Sequence, residues 1–123
     1  MSKRVLIIDD EPDLLKTLAV RLEKKGYQVF CGVDGKQAFE MAAKIIPDLM
    51  ILDVYLPFMN GDEVVKKMKK DKALKDIPVI LISATIESLP ERSSDSGAAA
   101  FFSKPFEPEE LISAVKKALD DER

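Results

Sequence analysis

Several side chains suited to phosphate or metal chemistry stand where apolar runs of the chain stop. Asp9 and Asp10 follow Val5-Leu6-Ile7-Ile8, and Asp53 follows Leu49-Met50-Ile51-Leu52. Ser83 follows Val79-Ile80-Leu81-Ile82, and Lys104, with Pro105 after it, comes just past the run 98–102. If these runs are parallel strands, all five side chains project at one end of one sheet. Three carboxylates gathered in one place cannot all stay ionised without compensating positive charge. A hard divalent cation supplies it, and magnesium takes oxygen ligands while keeping waters and phosphate oxygens in its shell. A carboxylate is also a nucleophile toward phosphorus, giving an aspartyl phosphate. Lys104 and Ser83 would then hold phosphoryl oxygens, one as a cation and the other as a hydroxyl donor.

Taken singly, none of these residues compels that chemistry. An acidic pair after a strand is commonly a turn and helix cap. Asp53 alone could cap a loop, a lone lysine is ordinarily on the surface, and Phe101 and Phe102 would ordinarily be core. In a short strand the two phenylalanines point to opposite faces, so one can be core while the other reaches the surface.

The elements that must position them are legible as five alternations of strand and helix. Val5–Ile8, Tyr27–Cys31, 49–52, 79–82 and 98–102 read as strands. The unbroken β-branched runs fit strands buried on both faces. Pro12 suits a first helical turn, Leu14, Leu15, Leu18 and Leu22 recur at helical spacing, and Gly26 ends that helix. Asp34 caps a helix carrying Ala38, Phe39, Ala42 and Ile45 that stops before Pro47. Gly61 opens a helix with Val64, Val65 and Met68, and a last helix begins near Pro108 with Leu111, Ile112, Val115 and Leu119. The segment Ile86 to Ser96 holds Pro90, Ser93, Ser94 and Ser96, so only a short or mobile helix is expected there. The alternation predicts a parallel sheet covered by helices on both faces, with right-handed crossovers. Such sheets build their sites at the carboxyl ends of the strands.

Composition narrows the function. The chain has 123 residues, enough for one domain, and a net charge of −3, so it lacks the basic footprint of a nucleic-acid binder. Lys66, Lys67, Lys69, Lys70, Lys72 and Lys75 are interspersed with Asp62, Glu63, Asp71 and Asp76, which reads as a solvated face. There is no histidine, which excludes imidazole catalysis and a phosphohistidine on this chain. Cys31 is the only cysteine and stands in an apolar run, so it reads as a small buried hydrophobe in a reducing compartment. No apolar run approaches the roughly 20 residues that span a bilayer. No signal-peptide pattern precedes Val5.

Together these residues resemble the receiver domain of two-component response regulators, and the chain is similar in size to the single-domain chemotaxis regulator. The resemblance rests on Asp9-Asp10, on Asp53 with Pro57 and Gly61 after it, on Ser83-Ala84, Gly97-Ala98 and Lys104-Pro105-Phe106, and it covers nearly all of residues 1–123. It implies a flavodoxin-like, doubly wound, five-stranded parallel sheet of order 2-1-3-4-5 with five helices in three layers. It implies a cytoplasmic signalling switch rather than an enzyme, one that assists its own phosphorylation and dephosphorylation. Asp53 would accept a phosphoryl group from the phosphohistidine of a sensor kinase or phosphotransfer protein. Asp9, Asp10, Asp53 and the backbone carbonyl of Tyr55 would hold magnesium. Lys104 and Ser83 would bind the phosphoryl group, Ser83 and Phe101 would form the switch, and Pro105 would follow a cis bond. A downstream protein would dock on the 84–106 region and the C-terminal helix, with the chain a monomer or a phosphorylation-dependent dimer and no direct contact with nucleic acid or membrane.

The chain departs from the family pattern at three positions. Ser83 replaces the commoner threonine, Asn60 a frequent aspartate, and Phe101 a frequent tyrosine, so any switch at Phe101 works without a terminal hydroxyl. Tyr55 and Thr85 flank the phosphate position without an acid to orient water, which implies slow self-dephosphorylation. Two rivals share some features. An aspartate-nucleophile phosphatase of the haloacid dehalogenase type would use Asp9 with Glu11 two residues on. A flavodoxin-like flavin carrier would need a glycine- or hydroxyl-rich phosphate loop after the first strand, where none is seen. A receiver that is never phosphorylated is a third alternative.

Overall fold

A computed structural model describes residues 2–84 and 98–120. Five strands form one parallel sheet in the order β2-β1-β3-β4-β5. They are β1 (Arg4–Ile8), β2 (Gln28–Gly32), β3 (Leu49–Asp53), β4 (Val79–Ser83) and β5 (Ala100–Ser103). Four helices accompany them among the described residues: α1 (Pro12–Lys24), α2 (Gly35–Ile45), α3 (Gly61–Lys69) and α4 (Pro108–Asp120). The helix expected between Ile86 and Ser96 lies outside the described residues, as do Thr85 and Gly97.

Strand alternation divides the core in two. Leu6, Ile8, Met50, Leu52 and Leu81 pack on one face with Ala38 and Ala42 of α2 and Val64, Val65 and Met68 of α3. Val5, Ile7, Leu49, Ile51 and Ile82 pack on the other with Leu15, Leu18 and Leu22 of α1 and Leu111, Ile112, Val115 and Leu119 of α4. The central strands β3 and β4 are buried along their whole length. This double burial is why their sequences read as continuous apolar runs.

The helix ends follow local chemistry. Pro12 sits in the first turn of α1. At its far end the Gly26 N–H donates to the Glu23 carbonyl and the Tyr27 N–H to the Leu22 carbonyl, with Gly26 at φ +96°. This is the Schellman closure that glycine favours. Asp34 caps α2 by accepting from the Gln37 N–H at 2.7 Å.

Three features depart from expectation. Cys31 is exposed, not buried, because β2 is the edge strand and has a neighbour on one side only. Burial of its surroundings and the charge of Glu23 still push the thiol pKa up. Lys67, on the lysine-rich surface, lies over the Phe39 ring at 4.6 Å from its centroid, a cation–π contact within the otherwise solvated face. Phe58 has φ +71°, and the Met59 N–H donates across it to the Pro57 carbonyl at 2.8 Å. That is a γ-turn of the strained, positive-φ kind, and Phe58 is 86% exposed.

Candidate functional site

The sheet register brings the strand-end side chains together. Ile8 pairs with Leu52, so Asp9 and Asp53 stand one step beyond on adjacent strands. Ser83 pairs with Ser103, which puts Lys104 one step beyond on β5. The Lys104 N–H donates to the Ser83 carbonyl at 2.8 Å, pinning the start of the β5–α4 loop to β4. From there the Lys104 side chain reaches back across β4 to the acids on β3 and β1. The Lys104–Pro105 peptide is cis.

Lys104 Nζ lies 2.7 Å from Asp53 Oδ2, 2.7 Å from Glu11 Oε1 and 2.9 Å from Asp9 Oδ2. The first two are hydrogen bonds. The third is an ion pair without hydrogen-bond geometry, which leaves Asp9 Oδ2 buried and unbonded. Asp9 Oδ1 accepts from the Glu11 N–H at 2.9 Å, and Asp53 Oδ1 accepts from the Tyr55 N–H at 2.9 Å. One oxygen of each carboxylate is thereby fixed by backbone, and the other is turned to the cation.

Burial sets the electrostatics. Asp9, Asp53 and Ser83 are the buried polar residues of the described chain, with Asp9 wholly inaccessible. Burial pushes the Asp9 carboxyl pKa up and the charge of Asp53 adds to the shift. The Lys104 ammonium and the Glu11 N–H act against it without cancelling it. For Lys104 burial alone would lower the pKa, but the hydrogen bonds to Asp53 and Glu11 and the ion pair with Asp9 outweigh it and hold the group charged well above the ordinary lysine range. Two buried carboxylates and the exposed Glu11 thus share one ammonium.

Asp9, Asp10 and Asp53 each offer a carboxylate oxygen within 4.8 Å of the others. Together with the unbonded Asp9 Oδ2, this all-oxygen set fits a hard divalent cation such as magnesium. Glycine at position 61 is a requirement of the site. A Cβ there would collide with the Asp53 carbonyl, so only glycine lets α3 start this close to the strand end. A cleft of about 430 Å³ opens beside Lys104, walled by Leu14, Ala84, Pro105 and Phe106.

Each strand-end residue singled out in the sequence is therefore at this end of the sheet. Asp9, Asp10, Asp53 and Lys104 meet, and Ser83 is buried one strand away. Tyr55 contributes its N–H to Asp53, and the residue is 44% exposed. Phe101 faces outward at 44% exposure, while Phe102 packs toward the core and meets Phe106 edge-on at 6.3 Å. The contact of Glu11 with Lys104 had no counterpart in the sequence reading, where Glu11 figured only in the phosphatase rival. The available signal was the acidic triplet Asp9-Asp10-Glu11.

Comparison with known proteins bears on the same residues. Residues 5–116 match the family model described as the response regulator receiver domain. Sporulation initiation phosphotransferase F of Bacillus subtilis is 38% identical over 120 residues, covering 97% of this chain and 95% of its own length. The DNA-binding dual master transcriptional regulator RpaA of Synechocystis is 36% identical over 117 residues, which is 94% of this chain but 48% of that protein. The chain spans about half the length of several curated relatives that it matches. Among solved structures, the signal receiver domain of a signal transduction histidine kinase from Syntrophus aciditrophicus superposes with a TM-score of 0.90 at 33% identity, covering 98% of this chain and 92% of that one. Matched along most of its length in sequence and across its whole sheet in structure, the chain belongs to the family of response regulator receiver domains.

Proposed function

We propose that this chain is a cytoplasmic signalling switch that accepts a phosphoryl group on Asp53 in a magnesium-dependent reaction. The observation that carries the reading is the Lys104 ammonium 2.7 Å from Asp53 Oδ2, beside the buried, unbonded Asp9 Oδ2. The donor is the phosphohistidine of a sensor kinase or a phosphotransfer protein, a reading supported by the likeness to a sporulation phosphotransferase over nearly its full length. The relatives that are transcriptional regulators are about twice as long, so their DNA-directed output is not assigned to this chain.

In the transfer, an Asp53 carboxylate oxygen forms a bond to phosphorus as the P–N bond breaks. The imidazole nitrogen keeps the bonding pair and is protonated. Catalysis of this kind is mainly positioning and charge neutralisation of the equatorial oxygens. The Tyr55 N–H orients the Asp53 carboxylate. Lys104 pairs with the phosphoryl oxygens, and Ser83 donates its hydroxyl to one of them. Asp9, Asp10, Asp53 and the Tyr55 carbonyl would hold magnesium, which when bound supplies further positive charge to the phosphoryl group. The chain is a phosphoacceptor that assists its own modification and not a turnover enzyme.

The modified site adds up to about two negative charges at Asp53. Ser83 is drawn toward them, and Phe101 turns into the space released, biasing a two-state surface. A downstream protein then reads the 84–106 region and α4, by the monomer or by a phosphorylation-dependent dimer. Incubation with acetyl phosphate and magnesium should add one phosphoryl group by intact mass, and Asp53→Asn should remain unmodified. Modification of Asp53→Asn at the wild-type rate would remove the assignment.

A further inference from the structure

Lys104 is shared, and one of its partners differs from the others. An ammonium has three N–H donors. One is bonded to Asp53 and one to Glu11, and Asp9 crowds the third at 2.9 Å. The Asp9 side chain is wholly buried and that of Asp53 is 7% exposed, but that of Glu11 is 60% exposed. Glu11 and Lys104 both border the cleft that opens at the site. The Glu11 backbone is separately occupied, since its N–H orients Asp9. A side-chain change at Glu11 therefore leaves that support in place.

A phosphoryl group arriving at Asp53 needs a Lys104 N–H. Asp9 and Asp53 cannot leave, because both are held by backbone donors inside the protein. Glu11 can leave, because water replaces its contact at small cost. Building on the phosphoacceptor reading above, we propose that Glu11 is a positioning residue that occupies Lys104 in the resting protein and must release it before a phosphoryl group can be bound. Glu11 stands directly before α1, at the N-cap position, and its side chain makes no cap hydrogen bond. Release thus frees the side chain at the start of α1 as phosphorylation proceeds.

The test is a set of phosphorylation time courses with acetyl phosphate and saturating magnesium, followed by intact mass. Glu11→Gln removes the charge. Glu11→Asp keeps it but withdraws the carboxylate by one methylene. Asp13→Asn removes an equal charge from the exposed first turn of α1 without touching Lys104. Glu11→Gln and Glu11→Asp should both be faster than wild type by on the order of five-fold, the scale of an exposed ion pair, and Asp13→Asn should match wild type. In a Lys104→Met background, Glu11→Gln should have no effect. Binding of beryllofluoride, a phosphoryl mimic, should tighten in the two Glu11 variants by the same factor. Unchanged Glu11 variants, an Asp13→Asn as fast as Glu11→Gln, or an effect that persists without Lys104 would each overturn the inference. If wild-type Asp53 itself took up no phosphoryl group, the phosphoacceptor reading would fall with it, so the two failures are distinguishable.

Discussion

Asp9→Asn is expected to stabilise the protein when no divalent cation is present. The Asp9 carboxylate is fully buried, and its Oδ2 makes no hydrogen bond. Oxygens of Asp10 and Asp53 lie within 4.8 Å of it, and the Lys104 ammonium lies at 2.9 Å. With an effective dielectric of about 20, the buried Asp53 contact opposes ionisation by roughly 3–4 kcal/mol, and the lysine returns roughly 6. The small net attraction does not outweigh burial, which is the largest influence on this carboxyl and raises its pKa. Asparagine keeps the acceptor for the Glu11 N–H and leaves Lys104 bonded to Asp53 and Glu11. The expected gain is on the order of 1–2 kcal/mol, which for a domain of this size raises Tm by roughly 3–8 °C.

The pH dependence follows from the same carboxyl. Its folded-state pKa is raised above the ordinary 3.8, chiefly by burial. Just above pH 3.8 the folded state therefore binds more protons than the unfolded state, and stability falls as pH rises through the window up to the folded pKa. The loss persists at neutral pH. Urea unfolding by circular dichroism, in chelator and across that window, should show wild type losing stability with rising pH while Asp9→Asn stays flat in this component. Added magnesium should restore wild type more than the variant. An Asp9→Asn protein less stable than wild type in chelator would refute the reasoning.

Two further outcomes are expected. Phe58→Gly should raise stability, because relieving a positive φ returns about 1–2 kcal/mol and the lost rigidity takes back about 0.5–1. Phe58→Ala, which keeps the strained φ, should not, and equal Tm gains from both would point to the exposed ring instead. The aspartyl phosphate should decay slowly, and Tyr55→Ala should shorten its lifetime several-fold by admitting water. A lifetime that is short and unchanged in that variant, measured by intact mass after donor removal, would contradict the shielding role.

Much of the sheet and most of the site were legible because of where the polarity changes. Strands β1, β3 and β4 are covered on both faces, so Ile8, Leu52 and Ile82 must be apolar, and the first polar residue after each marks the carboxyl edge. Once the strands are taken as parallel, Asp9, Asp53, Ser83 and Lys104 follow to one end. Other features depend on information that does not lie along the chain. The Glu11–Lys104 contact joins residues 93 positions apart and is set by how two loops turn. Cys31 sits in an apolar run, yet its exposure follows from β2 being an edge strand. The γ-turn at Phe58 uses a residue type that disfavours positive φ, so no local preference announces it. Ile46 likewise ends α2 at φ +50°, a position where glycine would be the local choice.

The most direct test of the central claim is to locate the phosphoryl group on the chain. After reaction with acetyl phosphate and magnesium, borohydride reduction converts an aspartyl phosphate to homoserine, which peptide sequencing by mass spectrometry can place. Homoserine is expected at position 53, with far less of it in Lys104→Met protein. Homoserine at position 9 or 10, or no reduced residue in a protein that gained the phosphoryl mass, would contradict it.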